Sequence, residues 1–165
     1  MRTSTMLATA ASVIVTSAVG GLATGPAVDS TWYRRLRKPS YQPPRQVFPV
    51  VWPALFADIA VVSASTIDQL NDGHDEERAR KYQAALALNL VLNASWSWFF
   101  FNRHHLVTSA AVAAALTASS ADLTRRAITV RGVRGAPLAL YPAWCAFATA
   151  LSTHIWLLNR RHRRL

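Results

Sequence analysis

Two sets of side chains in this sequence have the types and spacing to hold a flat, conjugated guest. Trp144, Phe147, Ala148, Leu151 and Ile155 fall at i, i+3, i+4, i+7 and i+11, one face of a helix. Ala148 leaves room between two aromatic side chains, and stacking on aromatic faces is favourable. The same pattern suits plain helix packing, in which a small residue admits a neighbouring helix. Asn89, Asn93 and Trp96 fall at i, i+4 and i+7. Two amides inside an apolar run require partners, because unsatisfied polar groups are costly there. Those partners are a ligand's carbonyl or carboxylate, or neighbouring helices, where such a bond averages about 0.6 kcal/mol. Trp52, next to Phe56, reads as a pocket wall or as an interfacial tryptophan.

Other chemistries lack their residues. The five histidines form no metal set, and His104-His105 are adjacent in a turn. There is no nucleotide-binding glycine loop, nucleophile elbow or Cys/His zinc spacing. The one cysteine, Cys145, rules out an intramolecular disulfide and sits in an apolar run as a small core residue. Asp58 falls within an apolar run, where an acid costs about 2.5–3.5 kcal/mol on insertion scales. It should therefore face protein or water, through a hydrogen bond to another helix (Asn89 is a candidate) or as a ligand- or proton-linked group. Asp122 has Arg125 and Arg126 at i+3 and i+4, enough for local ion pairs.

The elements that must carry these residues are apolar helices. The chain of 165 residues is 52% hydrophobic and 16% charged, and its charges are clustered. Residues 3–28, 82–102 and 135–159 contain no Asp, Glu, Lys or Arg. Each run reaches the roughly 20 residues that a spanning helix needs. Two more apolar runs contain a few charges. The expected fold is all-α: a single membrane domain over 1–165, with helices at about 5–26, 47–69, 82–101, 105–128 and 137–159. The first run also has the form of a signal peptide. Four further apolar runs in the remainder favour its retention, and Gly20 and Gly21 would let it pack closely. The link "NDGHDEERARK" balances acids and bases and reads as solvated.

The net charge of +10 does not point to nucleic acid, because the Lys and Arg residues cap the apolar runs and form no continuous basic face. Arg34, Arg35, Arg37, Lys38, Arg45, Arg103, Arg160, Arg161, Arg163 and Arg164 fall on one side of a five-span topology. Arg2, Arg78, Arg80, Lys81, Arg125, Arg126, Arg131 and Arg134 fall on the other. Ten against eight puts the first loop and the C-terminus in the cytoplasm by a thin margin. That loop, "TWYRRLRKPSYQPPRQVFPVVW", mixes aromatics, bases and prolines. Its prolines exclude a helix interior, and its aromatics are unlike a flexible linker. It reads as an ordered lid.

Three separated blocks give the chain a family resemblance. The first is Trp32-Tyr33, Leu36, Lys38-Pro39, Pro43-Pro44, Phe48 and Val51-Trp52, followed by Leu55-Phe56. The second is Leu92-Asn93, Trp96-Ser97 and Phe99-Phe100. The third is Tyr141, Trp144, Phe147-Ala148 and Leu151, closing on Asn159. In order and spacing they resemble the TspO/translocator protein family, also called tryptophan-rich sensory proteins or peripheral-type benzodiazepine receptors.

The resemblance implies a homodimer of five-transmembrane-helix bundles in a lipid bilayer. It implies a receptor or carrier for tetrapyrroles (protoporphyrin IX, haem) and other hydrophobic small molecules, with no further cofactor or metal. The alternative is an enzyme that degrades porphyrin with light and oxygen, with Trp52 and Trp144 as reacting residues. The implied ligand site is Trp52, Phe56, Asn89, Asn93, Trp96, Tyr141, Trp144, Phe147, Ala148 and Leu151. The implied lid is Trp32, Tyr33, Lys38, Pro39, Tyr41, Pro43 and Pro44, and its bases would attract porphyrin propionates or anionic lipid. His154 reads as an axial haem ligand or as a polar interhelical contact. The chain departs from the family pattern at Tyr41, where a Trp is usual, at Leu140, where a Pro is usual, and at Ser152, where an Asn is usual. "LSTHIWLLNRR" lacks the tyrosine of the animal members' cholesterol motif.

Overall fold

A computed structural model describes residues 2–160. The order of elements is α1 (Thr3–Thr24), α2 (Thr31–Arg35), a 3-10 turn (Arg45–Val47), α3 (Phe48–Asp72), α4 (Glu76–Ser97), a π-helical turn (Trp98–Asn102), α5 (Leu106–Arg131), a 3-10 segment (Gly132–Ala139) and α6 (Leu140–Asn159). No strand occurs among the described residues. The basic residues Arg161, Arg163 and Arg164, used in the orientation argument, lie outside them.

Among the described residues, four helical stretches are long and apolar enough to cross a membrane: Thr3–Thr24, Arg45–Asp72, Glu76–Asn102 and Leu106–Asn159. The five apolar runs of the sequence become four stretches because the last two join without a break in helical backbone. The 3-10 segment turns the chain back on itself, and α5 and α6 make the most extensive pairing in the molecule. Gly132, at φ 59°, ends α5 in a conformation that favours glycine. Gly135 then lies so close to α5 that a Cβ on it would stand 2.7 Å from the Ala127 carbonyl carbon and oxygen.

Other boundaries also differ from the sequence expectation. Most of the polar link is helical: α4 begins at Glu76, where Asp75 accepts a hydrogen bond from the Arg78 N–H at 3.1 Å. Glu76 and Glu77 in the first turn complement the helix dipole. The turn between α3 and α4 shrinks to 73–75. The proline-rich loop contains the short α2, capped by the Ser30 hydroxyl, which accepts from the Tyr33 N–H at 3.1 Å.

The spans carry many Ser and Thr residues, and most return their hydroxyl hydrogen to the carbonyl one turn back. Examples are Ser12 to Ala8, Thr66 to Val62, Ser95 to Val91 and Ser120 to Leu116, at 2.7–2.8 Å. This local bonding removes the cost of a polar group in an apolar surround. The core lies between α3, α4, α5 and α6, where Ile59, Leu123, Ala127, Leu138 and Tyr141 are wholly buried. Helix α1 packs on α3 and α4. Its Thr9 hydroxyl donates to the Ala60 carbonyl at 3.1 Å, and Asp68 accepts a hydrogen bond from the Arg2 backbone N–H. Trp98 donates its indole N–H to the Val19 carbonyl of α1 at 3.1 Å.

Candidate functional site

The residues singled out above fall into three groups, one of them in the interior of the bundle and two that meet the loop. In the first, Trp144 and Phe147 stand one turn apart on α6 with ring centroids 5.4 Å apart. Phe48, at the start of α3, meets Trp144 edge-on at 6.0 Å. Tyr41 of the loop meets Phe147 edge-on at 6.2 Å. Four rings from the loop, α3 and α6 thus form one chain of contacts. Ala148 is half-buried beside Phe147. Trp52, half-buried, lies 5.5 Å from the buried Phe56, and both pack on the core that also receives Trp144.

The second group is polar and buried. The Asn93 amide N–H donates to the Tyr141 hydroxyl at 3.0 Å, and Tyr141 donates to the Asn89 carbonyl oxygen at 2.9 Å. The Asn89 amide N–H donates to Ser119 on α5 at 3.2 Å. Asn89 and Tyr141 are fully buried and Asn93 nearly so. These bonds knit α4, α5 and α6 together and satisfy the amides of α4 within the protein. The candidate bond from Asp58 to Asn89 is replaced by them, and Asp58 Oδ2 is buried without a hydrogen-bond partner among the described residues.

The third group ties the loop to the bundle. Trp96 stacks on Phe100 at 5.4 Å and donates its indole N–H to Ser152 at 3.3 Å. The π-helical turn closes with the Arg103 N–H on the Trp98 carbonyl at 2.9 Å. Phe100 and Phe101 are both buried there, joining Leu151 and Ile155 of α6. Trp32 packs edge-on against Phe100 and stacks on His104 at 3.9 Å. Tyr33 packs on Phe101 at 5.7 Å, and the Lys38 ammonium lies 4.0 Å from the Tyr33 ring centre.

The loop is fixed at three further points. Asn159 Oδ1 accepts from the Arg37 N–H at 3.0 Å, and its amide N–H donates to the Arg37 carbonyl at 2.9 Å. The Tyr41 hydroxyl and His154 Nδ1 are 3.2 Å apart. Gln42 donates to the Tyr33 hydroxyl at 3.2 Å. Pro39 is buried, Pro43 half-buried and Pro44 exposed. Burial raises the Tyr33 phenol above its ordinary value, with the Gln42 bond opposing the shift. Burial also holds the Lys38 ammonium below its ordinary value.

With this arrangement in view, comparison with known proteins is direct. The sequence pattern of the TspO/MBR family matches residues 8–157. The chain belongs to that family. TspO/MBR relatives include Protein CrtK of Rhodobacter capsulatus, 30% identical over 128 residues and covering 78% of each chain. The Tryptophan-rich sensory protein of Cereibacter sphaeroides is 28% identical over 128 residues, 78% of this chain and 77% of that one. The human Translocator protein is 33% identical over 137 residues, 80% of this chain and 77% of that one. This TspO/MBR chain is accordingly a membrane protein.

Sequence reasoning passed over several partners of these residues in the TspO/MBR chain. Ser119 and Ser152 complete the polar contacts of Asn89 and Trp96, yet a serine on an apolar helix carries no signal of its own. His154 Nδ1 lies 3.2 Å from the Tyr41 hydroxyl of the loop, a contact the sequence does not signal. His104, considered only as a metal ligand, is a stacking platform for Trp32.

Proposed function

We propose that this protein is a membrane receptor or carrier that binds a tetrapyrrole, such as protoporphyrin IX or haem, or a related flat hydrophobic molecule, between the loop, α3 and α6. The observation that carries the reading is the contact chain Phe48–Trp144–Phe147–Tyr41 beneath a loop clamped by Asn159. A planar guest gains by stacking, at about 0.5–1.5 kcal/mol per aromatic pair beyond area burial. Ala148 leaves space on α6 beside Phe147. Tyr41 is exposed and holds Phe147 only by an edge contact, so it is the ring that gives way on entry. Arg34, Arg35, Arg37 and Lys38 lie along the loop segment and suit the propionates of a porphyrin. Asn89, Asn93 and Tyr141 form a rigid floor. The names of two relatives, one a sensory protein and one a translocator, fit a binding role. In this reading the chain spans the bilayer five times, pairs as a homodimer, and keeps its loop and C-terminus on the cytoplasmic face.

The test is titration of the purified protein with protoporphyrin IX, followed by tryptophan fluorescence. Saturable quenching is expected, weakened tenfold or more (about 1.4 kcal/mol) by Trp144→Ala and by Ala148→Leu. Binding that never saturates, or is unchanged in both variants, overturns the proposal. Illumination of the complex adds a second readout: ligand that decays to a distinct product, and stops decaying in Trp52→Phe or Trp144→Phe, would make the protein an enzyme.

A further inference from the structure

The end of the bundle opposite the loop holds a cleft of about 300 Å³ lined by Leu70, Arg78, Lys81, Tyr82, Arg125, Arg126, Thr129 and Val130. These residues come from the last turns of α3 and α5 and the first turns of α4. Four of the lining side chains are cationic and none is acidic. Their acidic partners stand on the same helices: Asp75 with Arg78 at 3.4 Å, Glu77 with Lys81 at 2.5 Å, and Asp122 shared by Arg125 and Arg126 at 2.7 and 2.6 Å. Four cations therefore face three carboxylates. The pairs are short-range contacts within one helix, worth little each in water, so an incoming dianion can exchange for them.

We infer that this cleft binds a phosphate-bearing anion at the membrane surface. The chemistry is set by the donors. Two neighbouring arginines offer planar forks that match phosphate oxygens, Lys81 adds a point charge from the facing helix, and Tyr82 and Thr129 complete the wall. The position fits a group held at the bilayer boundary. Arg78 and Lys81 precede the uncharged run of α4, and Arg125 and Arg126 close the apolar part of α5. Below the cleft, Leu88 (i+7 from Lys81) is exposed on the outer surface of α4. A headgroup in the cleft would leave its acyl chains lying along that surface. Free phosphate and the phosphate of an anionic lipid share this recognition, and the cleft is independent of the aromatic site at the other end.

The experiment uses the full chain in nanodiscs of phosphatidylcholine, titrated with dioctanoyl phosphatidic acid, dioctanoyl phosphatidylcholine and inorganic phosphate. Saturable binding of the phosphatidic acid is expected, without saturable binding of the phosphatidylcholine. The double variant Lys81→Gln/Arg126→Gln should weaken it tenfold or more, while Arg103→Gln at the other end leaves it unchanged. Thr129→Phe, which fills the cleft and keeps every charge, should weaken it as well and carries the test if the double variant does not fold. If inorganic phosphate binds with the same dependence on Thr129→Phe, the free ion is also an occupant; if it does not bind, the lipid headgroup is the ligand. Equal binding of the two lipids, equal loss in Arg103→Gln, or full affinity in Thr129→Phe overturns the inference.

Discussion

Asn159, at the end of α6, grips the backbone of Arg37 by both its N–H and its carbonyl, at 3.0 and 2.9 Å, across 122 positions of sequence. An amide side chain supplies one donor and one acceptor in a plane, so it can mimic a strand neighbour for a loop that has none. Replacing it with alanine removes two bonds of about 0.5–1.5 kcal/mol each. Asn159→Ala should speed hydrogen exchange and proteolysis of residues 36–42 with little change in the melting temperature of the bundle. Unchanged protection of that segment would show that the clamp does not hold the loop.

Tyr141→Phe deletes one oxygen and strands two amides. Asn93 loses its acceptor and Asn89 loses a donor, both in buried positions. An unsatisfied buried group costs about 1–3 kcal/mol. A fall in thermal stability of that order is expected in detergent solution, larger than for Tyr41→Phe at the exposed loop. Equal melting temperatures for Tyr141→Phe and the unaltered protein would refute it.

Two glycines should respond oppositely to the same substitution. A Cβ at Gly135 would press into the backbone of Ala127, and overpacking of this kind costs about 1–3 kcal/mol. Nothing stands within 4 Å of a Cβ at Gly21, in the interior of α1, where alanine is favoured over glycine by about 0.5–1 kcal/mol. Melting curves should place Gly135→Ala below the parent and Gly21→Ala level with it or above.

The loop has an alkaline limit. Tyr33 is neutral and half-buried, with its phenol raised above 10.0, so the docked loop retains a proton there that the undocked loop sheds. Docking by this group is therefore constant below pH 10 and weakens as pH climbs from 10 through the raised value. Lys38 has the opposite sign. Its lowered ammonium costs docking below its own titration, and that cost disappears as pH rises toward 10.5. Ultraviolet difference spectra of the protein against Tyr33→Phe should show one tyrosine titrating above 10.0. A titration at or below 10.0 would mean that the ring is solvated.

The apolar face of α6 and the paired amides of α4 were legible in the sequence, because helical period and intramembrane polarity are strong one-dimensional signals. Phe147 meets Tyr41 of the loop, Trp144 meets Phe48 of α3, and Asn89 and Asn93 share Tyr141 as a partner. What the sequence does not display is identity of partners. Nothing local says that Tyr141, rather than Asp58, faces the amides, since that depends on how α6 is rotated against α4. The start of α4 was hidden because "HDEERARK" is polar on all sides, and only the Asp75 cap reveals it as a helix. The π-helical turn was equally hidden, since four consecutive aromatics from Trp98 to Phe101, counting Phe99 and Phe100, give no period at all.

Helix α6 is pinned near both ends, by Tyr141 to the interior of the bundle and by Asn159 to the loop. These anchors stand about 27 Å apart at 1.5 Å per residue. Sliding α6 along its axis would tear both at once, whereas bending the loop about α2 releases only the outer one. If the proposed guest binds there, its access to the aromatic rings is a flap's swing against a fixed jamb, with no piston stroke of the helix behind it.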